Sequence, residues 1–401
     1  MIKNKATNNL KCDRQTLPKN KQKAVKFSNY IYSLLGVSSF TLLFAGLFNW
    51  FIDPQDIFKS PIITKINHEK VSKDNNDRLF KAVDIIRLQP KNVIMGSSRT
   101  KQGIDPDFLA LQQETNYYNL AINGPNFYEV RRYIEHAIYN QPDLDRIILG
   151  VDFFMFNQNL NNQPTFSNVR LEKNHLIVED VVKNLFSLDV VNNSIETIKA
   201  SQKSPETINF DYGDNGFMPN QNIDNGKDIW RFHESIELYF KLHSDYQFSR
   251  SYFNNFKQLV ELCKKNGIDL IVFISPAHAT HWESIDATNK WSVFEQWKRE
   301  LVEITPVWDF SGYNSITTEA ISKRMSHYID NSHYSPEVGN LILNRIFSFK
   351  LETVPTDFGI FITPENIEKH LSNIRLQRER WRQSNKREID LVRNIKEKQN
   401  L

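Results

Sequence analysis

Residues 27–52 contain no charged side chain, and this one stretch limits every fold the chain can adopt. An apolar helix needs about 20 residues to cross the hydrocarbon layer of a bilayer, and this run exceeds that length. Tyr30 and Tyr32 stand near one end and Trp50 near the other, which is the placement aromatic residues take at the two membrane interfaces. A cleaved signal peptide is the competing reading, but the apolar stretch is too long for one and no clear small-x-small cleavage site follows it. A buried helix of a soluble protein is a poorer match, because no polar face is visible. The expectation is one membrane-spanning helix.

Charge gives the helix a direction. Residues 1–26 hold eight Lys/Arg and one acid, Asp13, a net of +7. The whole chain carries only +3, so the remainder is net acidic, at −4. Basic residues ahead of a first span favour a cytoplasmic N-terminus. That predicts a single-pass protein of the bacterial inner (cytoplasmic) membrane, with its body periplasmic or otherwise extracytoplasmic. An acidic body also argues against nucleic acid as a partner. The two cysteines, Cys12 and Cys263, fall on opposite sides of that membrane and give no disulfide framework.

Asp53-Pro54 ends the helix, and residues 53–77 read as a linker. From there short apolar runs alternate with helical patterns. Strands are expected at residues 93–95, at 117–122 running into a loop, and at 146–151, 270–274 and 307–310. Helices are expected at 77–88, 127–139, 252–266 with Gly267 as its cap, 291–304 and 336–349. Strands alternating with helices of this length predict a parallel sheet in an α/β fold. Residues 155–245 break the rhythm. They are rich in Asn, Asp and Ser and read as a long insertion, with short helices at 181–186 and 230–242. Residues 350–401 form a helical extension, with one last helix from about Thr363. Residues 365–401 carry ten bases and six acids. This is read as a solvated helix with one packing stripe; contact with anionic lipid headgroups is the sharper alternative.

Ester chemistry needs a nucleophile, a base, a residue that orients the base, and donors for the oxyanion. Ser98 stands where residues 93–95 run through Gly96-Ser97 into a turn, at the edge where α/β sheets bind ligands. Asp330 and His333 lie three residues apart in one loop, within reach of each other. Gly124 sits in a tight loop after the second strand, where a bare N–H can approach a ligand.

Here the chain resembles the SGNH/GDSL hydrolases. Gly96-Ser97-Ser98 is similar to their first block, with Ser97 where Asp usually stands. Asn119-Leu120-Ala121-Ile122-Asn123-Gly124 resembles the second block, and Asp330-Asn331-Ser332-His333 matches the Asp-x-x-His block. The order and spacing match over residues 78–349. The resemblance implies a three-layer α/β/α, flavodoxin-like domain with a central parallel sheet. It makes Ser98 the nucleophile, His333 the base and Asp330 its orienter, with Ser98 and Gly124 donating to the oxyanion. The membrane-anchored subgroup is closer still; it includes proteins of cell-wall D-alanylation and alginate O-acetylation.

One position departs from the family. The third block usually reads Gly-x-Asn-Asp, with its Asn an oxyanion donor, but Gly150-Val151-Asp152-Phe153 puts Asp152 there. An ionised carboxylate repels a developing oxyanion, and losing one such donor costs about 3–4 kcal/mol in the transition state. Arg99, Asn123, Asp152 and His278 are the expected substrate contacts, although Arg99 is more readily explained as the ion-pair partner of Asp152. His278, His281 and Glu283 invite a metal reading, but their order lacks the His-Glu-x-x-His arrangement of zinc proteases, so neither a metal nor another cofactor is expected.

Two functions follow. The first is an esterase or O-acyltransferase acting on acyl groups of envelope or extracellular polysaccharide, with other membrane proteins of an acylation or export system as possible partners. The second is a catalytically silent module of the same fold that binds or assembles.

Overall fold

The computed structural model describes residues 19–70, 72–111, 116–203, 213–219 and 228–399. Most of the basic tail, with Cys12, lies outside them. Helix α1 spans Lys19–Ile52. Its portion Lys26–Ile52 is long and apolar enough to cross a membrane, as an anchor or a signal sequence. The body then alternates. Helix α2 (Asp77–Leu88) leads to β1 (Asn92–Met95), α3 (Ser98–Gly103), β2 (Tyr117–Asn119), α4 (Phe127–Asn140) and β3 (Arg146–Val151). Four helices follow: α5 (Asn168–Leu171), α6 (Val178–Phe186), α7 (Leu188–Ser201) and α8 (Asp228–Ser244). The alternation resumes with α9 (Arg250–Lys265), β4 (Asp269–Ile274), α10 (Ala279–Ala287), α11 (Trp291–Ile304), β5 (Val307–Asp309) and α12 (Pro336–Ile346). Strand β6 (Ile360–Ile362) and helices α13 (Ile367–Ser384) and α14 (Lys386–Lys398) complete it.

The six strands form one sheet in the order β2-β1-β3-β4-β5-β6, parallel except for β6. The protein is therefore an α/β protein with a mostly parallel sheet. Side chains of a strand alternate between its two faces, and here both faces are apolar. Val93, Met95, Ile147, Leu149, Val272 and Ile274 enter one core. Their neighbours Ile94, Ile148 and Phe273 enter another. Each core is closed by helices: Ala82 and Ile85 of α2 and Val130 and Ile134 of α4 on the first, and Val338 and Ile342 of α12 on the second. Buried strands of this kind give continuous apolar runs, which is why residues 93–95 and 146–151 stand out in the sequence.

Strand order reverses between β1 and its two neighbours: β2 lies on one side, β3 on the other. A crevice opens at the carboxyl ends of strands where such a reversal occurs. Two glycines let the strand ends close around it. A Cβ on Gly96 or on Gly150 would collide with the Thr100 side chain.

Several segments differ from expectation. The segment expected as a linker is held against the body over its described residues 53–70 and 72–77. Both carboxylate oxygens of Asp53 accept backbone N–H groups, from Ile57 and Phe58, and Lys70 donates to the carbonyls of Ile52 and Asp53. The insertion divides in two. Helices α6 and α7 pack on the end of α1, whereas α8 packs on the body. Helix α10 follows β4 directly, and its apolar content is too evenly spread to show a stripe. The last helix is broken at Asn385 into α13 and α14. Strand β6 has only three residues, too few for a period to show.

The C-terminal helices are fastened through a buried charge cluster. Lys298 of α11 donates to Asp309 of β5 at 2.7 Å, Ser311 donates to the same carboxylate, and His370 of α13 lies 2.8 Å from it. Burial alone would raise the Asp309 pKa, but Lys298 and His370 outweigh it and hold the carboxyl well below its ordinary value. A depressed folded-state pKa contributes stability above the unfolded value, about 4, and the contribution is lost as pH falls below it. The stability gap between wild type and Asp309→Asn should therefore be widest near neutral pH and shrink in acid. Thermal melts in detergent across the pH range will show whether it does.

Candidate active site

Strand β1 delivers the chain through Gly96 to Ser97, which caps α3 by accepting the Arg99 N–H. Ser98 is thereby the first residue of a helix at the sheet's carboxyl edge. Its Oγ lies 2.8 Å from His333 Nε2. His333 Nδ1 lies 2.8 Å from Asp330 Oδ2. The other Asp330 oxygen accepts the backbone N–H groups of Ser332 and His333 at 2.7 and 2.8 Å. One carboxylate thus both shapes its loop and aims the ring. Burial pushes the Asp330 pKa up, but His333 and the two backbone donors prevail and hold the carboxyl below its ordinary value. An ionised carboxylate only accepts, so the proton of a neutral imidazole sits on Nδ1 and Nε2 is free to accept from Ser98.

Gly124 lies in the loop after β2 with φ +49°, a conformation that favours glycine. A Cβ added there would meet open space, so backbone geometry rather than crowding selects the residue. Neither the Gly124 N–H nor the Ser98 N–H donates a hydrogen bond among the described residues. The loop is held from beneath. Asp77 accepts the Asn123 N–H at 2.6 Å, Arg78 donates to the Asn123 carbonyl at 2.8 Å, and Asn123 Nδ2 reaches Asp74. Lys81, fully buried, donates to the carbonyls of Asn119, Ala121 and Gly216. Asn119 Nδ2 donates to the carbonyls of Thr100 and Ile104, tying β2 to α3.

Behind the serine lies Arg99, 2% exposed. Its Nη1 pairs with Asp152 at 2.9 Å and its Nε donates to Ser332 Oγ at 2.8 Å. Its Nη2 lies 3.2 Å from His281 Nε2, and the guanidinium sits over the rings of Phe154 and Tyr239. Asp152 also accepts from Ser97 Oγ at 2.5 Å. Burial and the Arg99 charge push His243 down to about 3, and burial with that same charge pushes His281 well below its ordinary value. Both rings stay neutral beside the cation.

Of the residues expected to contact substrate, three face inward instead. Arg99 and Asp152 are spent on each other. His278 is buried, with Nε2 on the Glu319 carbonyl and Nδ1 at the N-terminus of α10 on Thr280. Asn123 is partly exposed, but its amide is held by Asp74. His278, His281 and Glu283 do not converge: they face Glu319, Arg99 and Arg382 respectively. No group of three or more metal-ligating side chains forms among the described residues. The supports Asp77, Arg78, Lys81, Tyr239 and Ser332 are not apparent in the sequence, because nothing in their spacing links them to the serine turn. In comparison with known proteins, the chain matches no family model and no curated protein.

Removing one partner of a buried ion pair leaves an uncompensated charge, at a cost of about 3–5 kcal/mol. Arg99→Met should lose that much stability. Asp152→Leu added to it should restore part of the loss, because the stranded carboxylate is gone. Denaturation of the two single variants and the double variant gives the coupling.

Proposed function

We propose that the chain is a membrane-anchored serine esterase or O-acyltransferase of the SGNH type, acting on acyl esters of envelope or extracellular polysaccharide. The observation that carries the reading is the unbroken hydrogen-bonded chain Ser98–His333–Asp330 at the carboxyl edge of the sheet. The five parallel strands take the flavodoxin-like order 2-1-3-4-5, and antiparallel β6 is added at the edge beside β5. With a core on each face of the sheet, this order supports the same assignment.

In this reading Ser98 Oγ attacks the acyl carbonyl carbon and its proton passes to His333 Nε2. Asp330 stabilises the resulting imidazolium. The N–H groups of Ser98 and Gly124 receive the charge that develops on the carbonyl oxygen. The ester bond then breaks, and the leaving alkoxide takes the proton from His333. Water or a sugar hydroxyl, deprotonated by His333, releases the acyl group from Ser98. Hydrolysis and transfer use the same residues and differ only in the acceptor. Arg99 neutralises the carboxylate of Asp152, which removes its repulsion toward the oxyanion. It does not supply the third donor that an Asn would have offered. The missing donor corresponds to about 3–4 kcal/mol in the transition state, so turnover is expected to be slow. The same feature favours the second reading, a silent module that binds or assembles.

The anchor assignment draws on Asn49. It is fully buried, donates to the Leu185 carbonyl and accepts from Ser194 Oγ. The end of α1 is thus a structural part of the body, and a signal sequence cleaved after it would take these contacts away.

A fluorophosphonate probe should label the wild-type protein in detergent. Ser98→Ala should abolish labelling, and His333→Ala should slow it by about 10⁴-fold or more. Absence of wild-type labelling wherever the protein stays folded would favour the silent module. For topology, alkaline phosphatase fused after residue 349 should be active in cells. A fusion that is expressed but inactive would reverse the orientation.

A further inference from the structure

Apolar side chains surround the end of α1 and remain uncovered. Val178, Val182 and Phe186 recur every four residues along α6 and so share one face; they are 77%, 50% and 42% exposed. Leu188, first residue of α7, is 80% exposed, and Ile62 is 69% exposed. On the same short helix Asp180 and Asn184 are buried toward the body. Glu179 and Lys183 are exposed beside this apolar row, and the buried positions of the helix are the polar Asp180 and Asn184, where a helix in water usually buries apolar residues.

These side chains are tied to α1 at a defined height. A Cβ on Gly46 would strike the Phe186 ring, so the α6–α7 corner lies against that turn of the helix. Asn49 bonds α6 through Leu185 and α7 through Ser194. The loop carrying Ile62 is fastened to the same end, because Asn67 Nδ2 donates to the carbonyls of Phe51 and Pro61. The apolar portion Lys26–Ile52 has 27 residues. At about 1.5 Å per residue it measures about 40 Å, against a hydrocarbon layer of about 30 Å. The body buries Gly46, Asn49 and Ile52, so the excess of about 10 Å, about six or seven residues, falls at this end of the helix. The corner therefore sits where hydrocarbon gives way to headgroups.

We infer that Val178, Val182, Phe186, Leu188 and Ile62 form a collar that inserts into the interfacial zone of the bilayer holding α1. The occupant is lipid, because the patch continues the surface of the anchor itself at the depth where the hydrocarbon ends. Apolar helix faces bury to about 5–10 Å in this zone. A single helix leaves a body free to tilt; a second contact beside it fixes the inclination of the sheet, and with it the approach to Ser98. The inference rests on the anchor reading of α1 and not on the esterase reading.

Spin labelling of the full chain in phosphatidylcholine–phosphatidylglycerol vesicles tests it. Cys12→Ser removes one thiol; the other, Cys263, is buried with its pKa pushed up to about 12 and will not label. Nitroxides are placed singly at Leu188→Cys, Ile62→Cys, Phe40→Cys within the span and Lys91→Cys on the body. The ratio of oxygen to water-soluble nickel collisions should be severalfold higher at Leu188 and Ile62 than at Lys91, and highest at Phe40. If Leu188 and Ile62 match Lys91 while Phe40 favours oxygen, the collar is in water and the inference fails with the anchor intact. If Phe40 also matches Lys91, the anchor reading itself fails. Shielding of Leu188 from both reagents would mean a protein covers it, which also overturns the inference.

Discussion

A single buried cation holds the candidate site together. Arg99 links the serine turn to the end of β3 through Asp152, to the Asp330–His333 loop through Ser332, and to α10 through His281. Its faces rest on Phe154 and on Tyr239 of α8. Segments more than two hundred residues apart in sequence are thereby referred to one guanidinium. Desolvating that charge is costly, and only dense pairing offsets it. The return is positional. The Ser98 hydroxyl and the His333 ring stand at hydrogen-bond distance because the backbones that carry them are fixed to a common atom group.

The opposite wall of the crevice is built by different means. Lys81 gathers three carbonyls, from Asn119 at the end of β2, from Ala121 in the loop after it and from Gly216 in the segment 213–219, while Asp77 and Arg78 grip both backbone groups of Asn123. All three residues come from the first turns of α2. Burial, followed by the nearby Lys101 charge, pushes the Lys81 pKa well down. Its donors remain useful in either protonation state, since a neutral amine still offers two N–H groups. Gly124 is the next residue after this clamp, so the direction of its N–H is inherited from α2 rather than from the sheet.

What the sequence disclosed follows from periodicity. The central strands were legible because both faces of the sheet are covered, which forces uninterrupted runs such as residues 146–151. Ser98, Asp330 and His333 were legible because a glycine-flanked serine and an Asp-x-x-His loop are local patterns. The roles of Arg99 and Asp152 were only half legible. The ion pair of Arg99 with Asp152 was the favoured reading of the sequence, but its full burial and its bonds to Ser332 and His281 left no local pattern. His278 misled for the same reason, since a histidine after a strand end looks available until its two nitrogens are seen on Thr280 and Glu319. The packing of residues 53–70 was hidden because its stabilisation comes from backbone N–H groups accepted by Asp53 and from backbone carbonyls that accept from Lys70, which leave no hydropathy pattern. The packing side of α6 was hidden because Val178, Val182 and Phe186 are exposed while its buried residues are the polar Asp180 and Asn184.

Position 152 shows how the two walls are coupled. An Asn there would be neutral and could spare an N–H for a ligand, but it would leave Arg99 buried without its counter-charge. An Asp satisfies Arg99 and receives the Ser97 hydroxyl, yet it has no donor to give. The same atom position cannot serve both the cohesion of the serine turn and the stabilisation of an oxyanion. This chain commits it to cohesion. In the proposed reaction, the charge that develops on the acyl oxygen is met by the two backbone N–H groups of Ser98 and Gly124, whose backbones are held by the two clamps just described. Rigidity in Arg99 and in Lys81 is thus the condition for the remaining donors to act together.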